Sequence, residues 1–145
     1  MNPRTPPSSS NKRAARGFTL IEVLIVVIII GILAAIANSV YQDSIVRTRR
    51  SAAQGCVLET AQFMERYYTT NMTYVGAPNP VCTSGRDVTD HYVIAFTAAP
   101  TATAYGVQAT PTGGQATHDT KCGVLGINQA GVKTKTGTGT LDECW

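Results

Sequence analysis

Charged residues are scarce in this sequence and unevenly placed. Asp, Glu, Lys and Arg make up 14% of the 145 residues. The first seventeen residues hold four basic side chains and no acidic one, and residues 18–37 hold a single charge. Without the first seventeen residues, eight basic side chains would face nine acidic ones. The basic isoelectric point therefore belongs to the amino-terminal segment, and the near-neutral remainder argues against direct nucleic-acid binding.

Closely spaced cysteine pairs are also lacking. A zinc site would need a pair such as C-x-x-C, and the shortest spacing between cysteines here is 22 residues. An even number of cysteines in a small exported domain predicts two disulfide bonds, with three possible pairings. The four residues concerned are Cys56, Cys82, Cys122 and Cys144.

Catalytic patterns are missing as well. The two histidines, His91 and His118, are predicted to lie at a strand start and in a loop, both on the surface. The Gly137-Thr-Gly139 sequence precedes no helix, so it does not predict a phosphate-binding loop. We therefore expect no enzyme, no catalytic residue, no metal and no cofactor.

The longest apolar run, residues 18–37, predicts a membrane-spanning helix. At about 1.5 Å per residue, twenty helical residues match the roughly 30 Å hydrocarbon core of a bilayer. The basic residues before it favour a cytoplasmic amino terminus and an exported remainder. The arginines after it, Arg47, Arg49 and Arg50, oppose that rule; adjacent subunits, lipid headgroups or solvent could neutralise them. An ordinary signal peptide, cleaved after Ala37, is the alternative, and the length of the run and Glu22 count against it.

The junction between the basic segment and the apolar run carries a more specific signal. Gly17-Phe-Thr-Leu-Ile-Glu22 resembles the prepilin cleavage and methylation motif of the type IV pilin family. The resemblance implies cleavage between Gly17 and Phe18 by a prepilin peptidase, and methylation of the new Phe18 amine by the same enzyme. Residues 1–17 would then be a cytoplasmic leader, and residues 18–37 would remain as the membrane and filament-core helix.

Glu22 has two compatible interpretations. A carboxylate in a filament core needs a cation, and the family resemblance implies the Phe18 amine of a neighbouring subunit. The Thr19-x-x-Glu22 sequence also predicts a capping box at the start of the helix. Pilins commonly carry proline shortly after the apolar run, whereas this chain has Ser39, so loosening near Asn38 and Ser39 is possible but not required.

The remaining sequence predicts an α+β domain. An apolar stripe with helical spacing continues the long helix over residues 38–68, and 69–90 is predicted to be a loop. Alternating apolar residues predict a three- to four-stranded antiparallel sheet packed on the helix. The strands are predicted at 92–96, 105–109, 122–127 and 132–136, with hairpin connections at Gly113-Gly114 and at 128–131. Residues 69–145 thus form the loop, the sheet and the carboxy-terminal region.

The resemblance implies a structural subunit of a type IV pilus, most like a minor pilin, for twitching motility, adhesion or DNA uptake. Implied partners are major and minor pilins, the prepilin peptidase, the inner-membrane assembly platform and the lipid bilayer before assembly. The protein would reside in the inner membrane with a periplasmic carboxy terminus, and later in the extracellular pilus. A pseudopilin of a type II secretion system and a soluble secreted binding domain are the alternatives. A disulfide-bounded carboxy-terminal loop in the family favours the pairs Cys56–Cys82 and Cys122–Cys144.

Overall fold

The structure is a computed structural model that describes residues 17–82 and 88–145, with the backbone alone at Ser39. Residues 1–16 of the predicted leader lie outside the described residues, as does the 83–87 part of the predicted loop. The chain divides into two compact units, Met1–Ser39 and Val40–Trp145.

One long helix, α1 (Leu20–Asn71), occupies the first half of the chain. It is the only described helix long and apolar enough to cross a membrane, judged by length and composition. The predicted helix is confirmed, with its ends shifted by two to three residues. It continues without interruption through Asn38 and Ser39.

Beyond α1, short elements follow in the order α2 (Val88–His91), β1 (Tyr92–Phe96), β2 (Gly106–Pro111), α3 (Gly113–His118), β3 (Leu125–Asn128), β4 (Lys133–Lys135) and α4 (Leu141–Cys144). Within the described part of the chain, the four strands form one antiparallel sheet in the order β1-β2-β3-β4. The α+β fold predicted from the sequence is therefore confirmed.

The core lies where the apolar stripe of α1 meets one face of the sheet. Ala53, Val57 and Met64 of the predicted stripe are fully buried. Opposite them, Val107 is paired with both Phe96 and Ile127 in the sheet register. Residues directly opposite each other on neighbouring strands point to the same face of the sheet, so these side chains join one cluster with those of α1.

The connection between β2 and β3 corrects the sequence prediction. Gly113 and Gly114 do not form a hairpin turn; they begin α3, whose first hydrogen bond runs from the Gln115 N–H to the Thr112 carbonyl over 3.1 Å. The buried Gln115 side chain donates to the Val46 carbonyl over 3.1 Å. This long-range contact with α1 fixes a helical turn where two glycines alone predict a tight reversal.

Two further boundaries differ from the prediction. The strand predicted from Cys122 begins only at Leu125, because Gly123 has a positive φ of 61° and its N–H bonds to the Asp119 carbonyl over 2.9 Å. The end of the predicted 69–90 loop contains α2. By contrast, the predicted 128–131 connection is confirmed, since the Gly131 N–H donates to the Asn128 carbonyl over 2.9 Å.

Candidate functional site

The amino-terminal motif is fully exposed in the described structure. Gly17 and Phe18 precede α1, and 82% of the Phe18 surface is accessible. The Glu22 N–H donates to the Thr19 hydroxyl over 3.3 Å and to the Thr19 carbonyl over 3.1 Å. One half of the predicted capping box is thus present. Within residues 17–82 and 88–145, the Glu22 carboxylate itself has no hydrogen-bond or ion-pair partner.

The helix that follows presents apolar side chains in every direction. From Leu20 to Ile36 each large apolar side chain is about half exposed or more. Glu22 lies among them and shares an open groove of about 270 Å³ with Phe18, Val23, Val26 and Val27. A helix that is apolar all round is stable only when it is surrounded by lipid or by other helices. Once it is surrounded in this way, the Glu22 carboxylate requires a cation from outside its own helix.

Two disulfide bonds cross-link the domain that begins at Val40. Cys56 of α1 is bonded to Cys82, and Cys122 is bonded to Cys144 of α4. This is the pairing that the family resemblance implied. The first bond ties the segment after α1 back to that helix, and the second encloses β3, β4 and the start of α4.

A buried ion pair joins α1 to the carboxy-terminal region. The Arg50 guanidinium contacts both carboxylate oxygens of Asp119, with Nη2–Oδ1 at 2.8 Å and Nε–Oδ2 at 3.0 Å. The Asp119 side chain is fully buried, and that of Arg50 is 13% exposed. Tyr92 donates its hydroxyl to Asp119 Oδ2 over 2.9 Å, and Gln115 Nε2 donates to the Tyr92 hydroxyl over 2.9 Å. Burial, together with the bond to Asp119, raises the pKa of Tyr92 above its ordinary value.

The same face of α1 also holds the last helix. Arg50 Nη1 donates to the Glu143 carbonyl over 3.3 Å, and Gln54 Nε2 donates to the Cys144 carbonyl. Helix α4 begins with a capping box in which Thr140 and Glu143 exchange backbone and side-chain bonds. Hydrogen bonds from Thr140 hold the pKa of Glu143 below its ordinary value. Hydrogen bonds from Arg50 and Gln54 of α1 therefore hold α4, which carries one cysteine of the second disulfide.

Sequence reasoning missed this network. It assigned Arg50 to neighbouring subunits, lipid or solvent, but the structure gives Arg50 an intramolecular partner, so that interpretation is wrong for this residue. Asp119 lies 69 residues away in sequence, and no local pattern marks the pair. The positive residues that follow the predicted membrane helix, against the charge rule for its orientation, were the only available signal.

Lysines and the tryptophan of the chain meet on the surface near the second disulfide. Lys121 and Lys133 are exposed, and the Lys133 ammonium lies 5.0 Å from the centre of the Trp145 ring. Lys135 Nζ donates to the Gly137 carbonyl over 2.7 Å. In the described ranges, no group of three or more His, Cys, Asp or Glu side chains is arranged to hold a metal ion.

Solved structures place this architecture among the type IV pilins. A type IV pilin from Shewanella oneidensis is 24% identical, with a TM-score of 0.53 over 69% of this chain and 97% of that chain. The Neisseria meningitidis non-core minor pilin PilV is 23% identical, with a TM-score of 0.52 over 67% of this chain and 92% of that chain. Both similarities concern the fold.

Sequence comparison defines the family more closely. Residues 12–38 match the prokaryotic N-terminal methylation motif. Residues 39–126, more than half of the chain, match the family described as "Type IV minor pilin ComP, DNA uptake sequence receptor". The chain belongs to this type IV minor pilin family, which confirms the resemblance found in the sequence. It is a non-enzymatic pilin subunit, as predicted.

Curated relatives are also fimbrial proteins. "Fimbrial protein EcpC" of Eikenella corrodens is 57% identical over 42 residues, which cover 29% of this chain and 28% of the relative. "Type IV major fimbrial protein FimA" of Dichelobacter nodosus is 37% identical over 92 residues, which cover 55% of this chain and 58% of the relative. The chain therefore matches between about a quarter and three fifths of the length of these relatives.

Proposed function

We propose that this pilin is a minor subunit of a type IV pilus, made as a membrane-anchored precursor. A prepilin peptidase removes residues 1–17 by cleaving the Gly17–Phe18 bond and methylates the Phe18 amine. The precursor lies in the inner membrane with its carboxy-terminal domain in the periplasm. With the assembly platform it then joins major and minor pilins in the extracellular filament.

One observation carries this proposal: a methylation motif that contains an exposed apolar helix is followed directly by a minor pilin domain in one chain. The motif covers residues 12–38 and the domain covers 39–126. Within the motif the helix leaves its large apolar side chains exposed, so it requires lipid before assembly and other helices afterwards.

Glu22 aligns each new subunit with a neighbouring subunit during assembly. The carboxylate lies in the first turn of α1 and has no partner among the described residues. A neighbouring subunit's Phe18 amine, created by cleavage, provides a cation of the right sign at the end of an otherwise apolar helix. Neutralisation by this amine offsets the cost of burying the carboxylate in the filament core.

The experiment is intact-mass measurement and amino-terminal sequencing of the protein from sheared pili and from membranes. A chain that begins at methylated Phe18 in both fractions supports the proposal. A chain that begins at Asn38 would identify an ordinary signal peptide and a soluble secreted domain. Processing at Phe18 without recovery in sheared pili would favour a pseudopilin of a type II secretion system.

The name of the matched family favours a second candidate function, DNA binding during uptake. The near-neutral charge of residues 18–145 weighs against it. One observation supports it: Lys121 and Lys133 are exposed near Trp145, and cations beside an aromatic ring suit a nucleic acid. Fluorescence anisotropy with duplex DNA at two salt concentrations tests this function. The logarithm of the binding constant should fall with the logarithm of the salt concentration. The double variant Lys121→Gln/Lys133→Gln should reduce the size of this slope by about 2, whereas Arg66→Gln should not change it.

A further inference from the structure

A second open groove lies where the first turns of the exported domain meet α2. Its volume is about 530 Å³. The lining side chains are polar or basic with one exception, and they are Tyr41, Ser44, Ile45, Thr48, Arg49 and His91. None of these lining residues is acidic, so the groove combines cationic groups and hydroxyls without a negative charge.

The two basic side chains in this groove have no polar partner among the residues that the structure describes. Arg49 and His91 are both half-buried. Within residues 17–82 and 88–145, neither the Arg49 guanidinium nor the His91 ring has a hydrogen-bond or ion-pair partner. The next residue, Arg50, shows the contrast, because it is paired with Asp119. A half-buried guanidinium without a counter-charge favours an external anion.

The hydroxyls indicate what kind of anion fits. Thr48 already donates its hydroxyl to the Ser44 carbonyl over 2.9 Å. The hydroxyls of Tyr41 and Ser44 remain available as donors among the described residues. A planar guanidinium beside neutral donors is suited to a phosphate, which accepts two parallel bonds from arginine and further bonds from hydroxyls.

We propose that this groove binds the phosphate of an anionic phospholipid headgroup while the subunit is still in the membrane. Three residues separate Ala37, the last residue of the apolar run, from Tyr41 at the start of the groove, and eleven separate it from Arg49. Basic and aromatic residues that closely follow a membrane span contact lipid headgroups. A lipid phosphate also neutralises Arg49, which otherwise opposes the orientation that the leader imposes. This inference rests on the proposed membrane-anchored precursor.

Native mass spectrometry of the full chain released from nanodiscs tests this site. Nanodiscs of phosphatidylglycerol and phosphatidylcholine are compared for the wild type, Arg49→Gln and the matched control Arg66→Gln. Arg66 is an exposed arginine of the same helix outside the groove. The wild type and Arg66→Gln should retain phosphatidylglycerol about tenfold more than phosphatidylcholine, and Arg49→Gln should lose this preference. Arg49→Lys should keep part of it.

Several outcomes would overturn the site. Equal retention of the two lipids by the wild type would do so, as would an undiminished preference in Arg49→Gln. Displacement of the lipid by millimolar inorganic phosphate would assign the groove to free phosphate. If Arg49→Gln alters only cross-linking to other pilins, the partner is a protein. Carbonate extraction distinguishes failure of the lipid site from failure of the proposed membrane anchor. If the protein is anchored as proposed, all variants should remain in the membrane after extraction.

Discussion

Removal of the positive charge from the buried ion pair should destabilise the carboxy-terminal domain severely. Arg50→Met keeps most of the side-chain volume but leaves the Asp119 carboxylate in the interior without its cation. That carboxylate is fully buried, and its remaining donors are the Tyr92 hydroxyl and the Gln115 amide. An orphaned buried charge of this kind costs about 3–5 kcal/mol.

The cost should be asymmetric between the two partners. Arg50 is 13% exposed, so Asp119→Asn leaves a guanidinium that can still reach water. The asparagine oxygen can also accept the Tyr92 hydrogen bond. We therefore expect Asp119→Asn to cost less than Arg50→Met. The double variant should recover at least half of the stability that Arg50→Met loses, since it contains no buried charge.

Urea unfolding of the full chain in detergent micelles measures these differences. The only tryptophan in the sequence, Trp145, adjoins α4 and reports its release by fluorescence. The free energy of unfolding of a small protein falls by about 1–3 kcal/mol per molar urea, so Arg50→Met should lower the unfolding midpoint by roughly 2 M. Arg66→Met, at an exposed position, should stay within about 0.5 kcal/mol of the wild type. A double variant no more stable than Arg50→Met would refute the reasoning.

Three further predictions concern the apolar helix, the second disulfide and a buried tyrosine. Glu22→Val should remain in the membrane but fail to enter sheared pili, and normal incorporation would leave only the capping role. Cys122→Ser/Cys144→Ser opens a loop whose ends lie 22 residues apart. The chain-entropy account predicts that the free energy of unfolding, measured in urea, falls by about 3.5 kcal/mol. An unchanged urea midpoint would contradict this account. Because burial raises the pKa of Tyr92 above 10, the contribution of Tyr92 to stability should be level below pH 10 and fall above it as Tyr92 ionises in the unfolded chain. Tyr92→Phe should reduce that slope, and an unchanged slope would contradict this reasoning.

The elements that the sequence predicted correctly are those set by local periodicity. The stripe containing Ala53, Val57 and Met64 has helical spacing over several turns, and burial of these residues confirms it. The alternation of Tyr92, Ile94 and Phe96 predicted β1 with its observed limits. Both patterns repeat because one face of an element meets the core.

The features that sequence could not predict depend on contacts between distant residues. Nothing near Gln115 indicates that its amide reaches Val46, yet this contact accompanies a helical turn at a Gly-Gly sequence. The partner of Arg50 is equally remote. At the amino terminus the reverse holds, because the methylation motif is a short contiguous stretch of sequence and matches its family model over residues 12–38. A contiguous motif can be recognised from sequence alone, whereas the network beneath the second disulfide cannot.

The shape of the sheet has a consequence for how such subunits can associate. An open sheet has two outer strands, here β1 and β4, whose free backbone groups invite pairing with another molecule. Of these, β4 is three residues long and carries Lys133 and Lys135. The Trp145 indole N–H also donates to the Thr134 carbonyl over 3.0 Å, which holds the end of the chain against this strand. Molecules that lie side by side thus have little opportunity to aggregate through strand addition at β4.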